Sequence, residues 1–451
     1  MKFFIQLTAA IILAAPFASS STMQTPTQAL ESIAKQIVTQ LVAHQFKDVE
    51  LRFDDRMRAA LPQEKLSAVW DSLIGQTGPF QRILHTQVGE QKGMQVVNVT
   101  CEFQHASLDA KIVLDQQGRV TGLFFAPAAA PQTEESTWSA PSYANQAEFH
   151  ERDVIVGSGQ WKLPGTLTLP NGKGPFPAVV LVQGSGPHDQ DETIGPNRPF
   201  KDLAWGLASQ KIAVLRYVKR TKKYGAQSSA TAAFTVNVET VDDADAAVSL
   251  LAGEPEIDHN HIYVLGHSLG GMLAPRIAMN DKQVAGIIIA AGTARPLEQV
   301  VVQQLKYLAT QGKVSEKQID DAERAQAEIE SPSLKPDATV VLLGATIPAS
   351  YFLDLRNYYP AEAAATLKVP ILVLQGGRDY QVTSQDYEIW KAALAKDPRA
   401  SFKFYPSLMH LFMPGTGSGP GSPADYEVPG HVAHEAIEDI AQWIKRNSAA
   451  K

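Results

Sequence analysis

From Val179 onward the chain alternates short, continuous apolar runs with stretches of helical spacing, and that alternation constrains the fold more than any other feature. Val179-Val180-Leu181-Val182, Ile212–Tyr217, His261–Gly266, Val284–Ala290, Pro370–Leu374 and Ser401–Tyr405 read as strands. Pro199–Gln210, Val238–Ala252 and Met272–Met279 read as helices between them. A strand that is apolar on both faces must be covered on both, which a parallel sheet with helical crossovers achieves. Val154–Val156 and Gly165–Leu169 precede the alternation and read as an antiparallel pair. One insertion, at about 294–367, interrupts the pattern. It holds a helix (Leu297, Val300, Val301, Leu305, Leu308), a charged helix around Ser315–Glu330, and the aromatic residues Tyr351, Phe352, Tyr358 and Tyr359. It follows a sheet strand, at the edge where active-site clefts open and lids are placed.

The region before residue 148 has a different pattern. Lys2, the apolar run Phe3–Ala15 and the small residues Ala18-Ser19-Ser20 form the three-part pattern of a secretory signal, too short an apolar run to span a bilayer comfortably. Cleavage near Ser20, export to the periplasm or beyond, and no stable membrane span afterwards are expected. Residues 23–125 read as a small α+β domain. Leu30, Ile33, Ile37, Val38, Leu41 and Val42 mark one helix and Pro62–Leu73 a second; strands follow at Arg82–Val88, Met94–Phe103, Leu108–Leu114 and Val120–Phe125. The single cysteine, Cys101, rules out an internal disulfide and shares a strand face with Val97, Val99 and Phe103, so it is read as core. The Ala/Pro-rich, then polar stretch 126–147 reads as an exposed linker. A net charge of −7 gives no electrostatic case for a nucleic-acid partner. The basic run Arg216–Lys223 is read as following a strand rather than binding phosphate.

The chemistry centres on Gly266-His267-Ser268-Leu269-Gly270-Gly271. It fits G-x-S-x-G with a strand entering and a helix leaving, the setting in which a tight turn exposes a nucleophilic serine above a sheet. A serine hydroxyl needs a base, and the base needs an orienting acid. In chain order the acid and then the histidine follow the serine, each beyond a strand. Asp379, in Gln375-Gly376-Gly377-Arg378-Asp379-Tyr380, follows the strand ending at Leu374. His410, in Pro406-Ser407-Leu408-Met409-His410, follows the strand ending at Tyr405. His259 and His261 lie at the wrong end of the elbow strand, His431 and His434 head the last helix, and His267 is read as a support of the elbow. The oxyanion requires two backbone donors. One is assigned to the Leu269 amide, at the start of a helix. The other is assigned to the Ser185 amide in Gln183-Gly184-Ser185-Gly186-Pro187, with Gly184 or Gly186 as alternatives. The acidic run His188-Asp189-Gln190-Asp191-Glu192 is read as a hydrogen-bonded loop, with binding of a cationic substrate group as the alternative. No cofactor is expected, and His431-x-x-His434 lacks the accompanying ligands of a metal site.

Together with Trp161-Lys162-Leu163-Pro164-Gly165-Thr166-Leu167, Gly270-Gly271-Met272-Leu273-Ala274-Pro275 and Gln375–Val382, these motifs make the last 300 or so residues resemble bacterial α/β-hydrolases of the dienelactone hydrolase and serine aminopeptidase branches and small carboxylesterases. The resemblance implies an α/β-hydrolase fold with a mostly parallel sheet and a helical lid insertion, occupying 148–451. It implies a triad of Ser268, Asp379 and His410. It also implies that the N-terminal unit is similar to a poorly understood cone-shaped α+β domain found before such hydrolases. Many relatives carry histidine at the position of Gln183 and aspartate at that of Val218. The expected activity is that of an exported serine hydrolase cleaving a small-molecule carboxylic ester through an acyl-enzyme. Amide or peptide hydrolysis and acyl transfer are the alternatives at the same site. A non-catalytic ligand-binding scaffold is disfavoured because all three triad positions are filled. The oligomeric state is not read from the sequence.

Overall fold

The computed structural model describes residues 26–91, 94–104, 106–128, 138–229, 233–415, 417 and 419–449. The expected signal segment and the middle of the expected linker lie outside them. The chain divides into two compact units, at Pro131/Gln132.

In the first unit, β1 (Phe80–Gln91), β2 (Met94–Phe103), β3 (Ser107–Leu114) and β4 (Val120–Pro127) form an antiparallel meander in chain order. Helices Pro26–Val42 and Gln63–Thr77 bury Ile37, Leu41 and Trp70 against Val97, Val99 and Ile112 of the sheet. The charged stretch between these helices forms two further short helices, Phe46–Glu50 and Asp55–Ala60. The second begins where Asp54 accepts the Met57 amide at 2.7 Å, an N-cap inside a stretch that the apolar pattern leaves unassigned. Cys101 lies in this core, and burial pushes its thiol up to about 12, so it is not a nucleophile.

In the second unit, β5 (Phe149–Val156), β6 (Leu163–Pro170), β7 (Phe176–Val182), β8 (Ala213–Tyr217), β9 (Ile257–His267) and β10 (Val284–Ala290) are joined, after the insertion with its hairpin β11 (Thr339–Leu342) and β12 (Ala345–Pro348), by β13 (Ile371–Gly376) and β14 (Ala400–Tyr405). The eight-stranded sheet has the order β14-β13-β10-β9-β7-β8-β6-β5. It is parallel from β14 to β8, and β6 and β5 are antiparallel.

The strand period of two sorts side chains between two cores. Val180, Val182, Val264, Ile287, Ile289 and Val373 face helices Asp242–Ala252 and Leu269–Asn280. Val179, Leu181, Leu265, Ile288, Leu372 and Leu374 face helices Pro199–Ala208 and His434–Ala449. The insertion joins the first of these cores through Val301, Leu305, Val340, Tyr351 and Phe352.

The expected linker is shorter than its composition suggests. At its start, β4 runs on to Pro127. At its end, Trp138 donates to Asp202 at 2.9 Å, Tyr143 to the Val432 carbonyl at 2.8 Å, and the Asn145 amide to Ser209 at 2.8 Å. Aromatic anchors therefore tie 138–147 to the second unit. Among the described residues no helix is long and apolar enough to cross a membrane.

Candidate active site

The carboxyl ends of β7, β9, β13 and β14 carry every residue singled out for chemistry. Ser268 directly follows β9 with φ 53° and ψ −114°, a strained conformation for a residue with a Cβ. Its amide is held by the Ala290 carbonyl at 2.9 Å, and it caps the 12-residue helix Leu269–Asn280. The turn is too tight for side chains on its flanks. A Cβ on Gly266 would lie 2.0 Å from the Gly270 carbonyl oxygen, and one on Gly270 would lie 2.2 Å from that of Val182. The strain at Ser268 is thus fixed by packing on both sides.

Asp379 is buried in the loop after β13. Its Oδ1 accepts the amides of Gln381 and Val382 at 2.8 and 3.0 Å, and its Oδ2 accepts His410 Nδ1 at 2.7 Å. With Gln375 Nε2 also donating to Oδ2 at 3.4 Å, four donors orient one carboxylate, and that carboxylate selects the His410 tautomer with an unprotonated Nε2. The structure also links His410 to the elbow. His267, the residue before Ser268, donates from Nε2 to the His410 carbonyl at 3.0 Å, and the two imidazole rings lie 4.6 Å apart, centroid to centroid.

The loop after β7 lies against the nucleophile, since a Cβ on Gly184 would sit 3.1 Å from Ser268 Cβ. The Gly184 amide donates to Glu192 Oε1 at 2.6 Å. Gly184 is thereby withdrawn as an alternative oxyanion donor, leaving the amides of Ser185 and Gly186 beside that of Leu269. Gln183 is buried and donates to the Tyr217 carbonyl.

The acidic run is a structural loop. Asp189 accepts the amides of Asp191 and Thr193, both at 3.0 Å, Asp191 pairs with Arg216 at 2.5 Å, and Glu192 pairs with His267 Nδ1 at 2.9 Å. Burial alone would push the His267 ring down. The Glu192 carboxylate, with help from the His410 carbonyl, outweighs it and holds the ring above the ordinary histidine value. Burial likewise opposes charge on Glu192, yet His267, His188 and the Gly184 amide hold its carboxyl below the usual range. Sequence reading assigns His267 to the elbow and the acidic run to a hydrogen-bonded loop but does not find that Glu192 is the partner, because nothing in the spacing of a polar run marks which of its residues is buried.

The buried cations of the basic run are paired with carboxylates from other elements. Arg216 meets Glu151 and Asp191, Lys219 meets Glu239 at 3.2 Å, and Arg220 meets Asp243 at 2.5 Å. The histidines set aside lie elsewhere: His434 stacks on Tyr143 at 5.4 Å, His431 pairs with Asp202 at 3.1 Å, and His261 pairs with Asp258 at 2.7 Å. Among the described residues no cluster of histidine, cysteine and carboxylate side chains could hold a metal ion.

Residues 197–414 match the family described as serine aminopeptidase, S33, and residues 34–123 match a family described as a protein of unknown function, DUF3887. The chain is 39% identical over 407 residues to Esterase EstD of Thermotoga maritima, covering 90% of this chain and 93% of that protein. Among solved structures, Est1E from Butyrivibrio proteoclasticus is 15% identical with a TM-score of 0.44, over 66% of this chain and 99% of that one. An esterase of Pyrococcus furiosus is 18% identical with a TM-score of 0.44, over 66% of this chain and 91% of that one.

Proposed function

The chain is a carboxylic ester hydrolase of the α/β-hydrolase family that includes Esterase EstD, and from that premise we propose that Ser268, Asp379 and His410 act as its catalytic triad through an acyl-enzyme. The observation that carries this reading is the Asp379–His410 hydrogen bond of 2.7 Å, in a loop tied through His267 to a strained serine elbow. His410 Nε2 takes the proton of Ser268 Oγ as Oγ attacks the ester carbonyl. The negative oxygen of the tetrahedral intermediate accepts the amides of Leu269 and Ser185. When the intermediate collapses, the C–O bond to the alcohol breaks and the imidazolium protonates the leaving alkoxide. Water, deprotonated by the same nitrogen, then attacks the acyl-serine; the acyl C–Oγ bond breaks, the imidazolium returns the proton to Ser268 Oγ, and the acid is released. Asp379 keeps the ring oriented and stabilises its charged form.

A fluorophosphonate followed by peptide mass analysis tests the assignment: the adduct belongs on Ser268, and Ser268→Ala should carry none. An adduct on another serine would remove the triad. Paired ester and anilide substrates of one acyl group measure the reaction preference, and faster turnover of the anilide would favour the amidase reading. Export is the companion proposal, supported by Lys2, Phe3–Ala15 and Ala18-Ser19-Ser20. N-terminal sequencing of protein from native cells should begin near Ser21, and a cytoplasmic chain that keeps Met1 would contradict it.

A further inference from the structure

We propose that Lys219 is a positioning residue of the oxyanion hole, fixing and polarising the peptide whose N–H is the Ser185 donor. The inference rests on the serine mechanism proposed above. Lys219 follows β8, is 2% exposed, and donates from Nζ to the Gly184 carbonyl at 2.7 Å. That carbonyl belongs to the Gly184–Ser185 peptide. In a trans peptide the C=O and N–H point in opposite directions. Holding the Gly184 oxygen on the Lys219 side therefore fixes the direction of the Ser185 N–H on the other. A cation on the carbonyl also draws electron density from the amide and makes its N–H a stronger donor, as hydrogen-bonded chains polarise one another.

The surroundings are built to keep this contact. The Lys219 ammonium is balanced by Glu239 at 3.2 Å, and Glu239 in turn accepts the Tyr351 hydroxyl at 2.8 Å. Glu239 sits in a π-helical turn, Asn237–Val241, at the start of the helix that continues to Ala252, and Tyr351 comes from the insertion. The neighbouring peptides are tied as well: the Gly184 amide to Glu192 at 2.6 Å, and the Ser185 carbonyl to His188 Nε2 at 2.6 Å. Two buried carboxylates, one lysine and one histidine thus restrain consecutive peptides of a loop that contains two glycines. Such a loop would otherwise sample many conformations. An oxyanion hole is effective only when its donors are aimed before the charge develops, so holding this loop acts on the transition state rather than on substrate binding.

Lys219→Met/Glu239→Gln removes both charges at nearly constant volume and avoids a stranded carboxylate. Loss of one direct oxyanion donor costs about 10²–10³ in kcat. An indirect support should cost less, so we expect kcat to fall about tenfold to a hundredfold with KM within about twofold. The affinity of a trifluoromethyl ketone, which forms a tetrahedral adduct with a charged oxygen, should fall by the same factor as kcat/KM. Lys219→Gln/Glu239→Gln keeps a hydrogen-bond donor without the charge, again strands no carboxylate, and should fall between wild type and the Lys219→Met/Glu239→Gln variant. Where the latter fails to fold, by circular dichroism and melting, Lys219→Gln/Glu239→Gln decides by the same criteria. A folded variant with kcat and ketone affinity within twofold of wild type overturns the inference, as does a loss confined to KM. Fluorophosphonate labelling of the wild type separates the two levels. A Ser268 adduct with unperturbed Lys219 variants sinks this inference alone, whereas no Ser268 adduct removes the serine mechanism and this inference with it.

Discussion

His410 and His434 are both histidines close to the carboxyl terminus, yet they stand differently to the proposed base role. His410 has its Nδ1 on Asp379 and its backbone carbonyl on the residue before Ser268, whereas His434 spends its ring on Tyr143. Ser268→Ala and His410→Ala should each lower turnover on an activated ester by a factor on the order of 10⁶, because triad members act as a unit. Asp379→Asn should cost roughly 10⁴, through loss of the acceptor that selects the tautomer. His434→Ala should keep most of the rate, and initial rates on one substrate compare all four. If His434→Ala is dead and His410→Ala is active, the base is misassigned. The Glu192–His267 pair carries a prediction in pH. The raised His267 value contributes stability that is complete below the ordinary histidine range near 6.5 and fades as pH rises through the raised value. The lowered Glu192 value contributes stability that is present above about 4.3 and fades as pH falls through the lowered value. The pair therefore stabilises most between those limits. The melting-temperature advantage of wild type over Glu192→Gln should be greatest near pH 5–6 and shrink as the solution becomes alkaline. An advantage independent of pH would show that packing, not charge, is what Glu192 supplies.

At the level of elements, glycines of similar appearance in the sequence have opposite consequences. Gly270 begins the helix after the nucleophile, where a Cβ would meet the Val182 carbonyl oxygen at 2.2 Å and that of Gln183 at 2.9 Å. Neither is the end of a flexible side chain, so Gly270→Ala should destabilise by about 3 kcal/mol, the upper end for overpacking, and disturb the elbow. Gly75 is exposed in the helix Gln63–Thr77 with nothing within 4 Å of its Cβ position. Gly75→Ala should stabilise by about 0.5–1 kcal/mol. Urea unfolding of the two variants gives both signs in one measurement, and destabilisation by Gly75→Ala would contradict the helix there. The hairpin β11–β12 shows why some elements escape a sequence reading. Val340 and Leu342 point into the core while Thr339 and Val341 are exposed, but the stretch is short, and its turn is Leu343-Gly344 rather than Asn-Gly. Both turn residues have positive φ, 54° and 77°. The conformation is that of a tight hairpin, with a leucine where the usual residue signal would stand.

For the molecule as a whole, the triad positions and their supports lie in the second unit, and the first has a core of its own. A chain beginning at Trp138 should keep its turnover on a small soluble ester, because it retains the Trp138, Tyr143 and Asn145 anchors. A chain beginning at Asn145 loses the first two and should melt lower. A folded Trp138 chain without turnover would place part of the site in the N-terminal unit. The sequence by itself determined the parallel sheet, its order of strand and helix, the elbow at Ser268 and the loops of Asp379 and His410, because period-two and helical apolar spacing, glycine pairs and strand ends are local signals. It also determined that Cys101 is core. Only the tertiary structure decided which buried charges meet: Glu192 with His267, Lys219 with Glu239 and the Gly184 carbonyl, Arg216 with Glu151 and Asp191. Charged residues in a loop look alike along a chain, since each would be stable in water. Their burial is tolerated only where a partner from another strand end arrives within hydrogen-bonding distance, and that meeting is a property of the folded sheet.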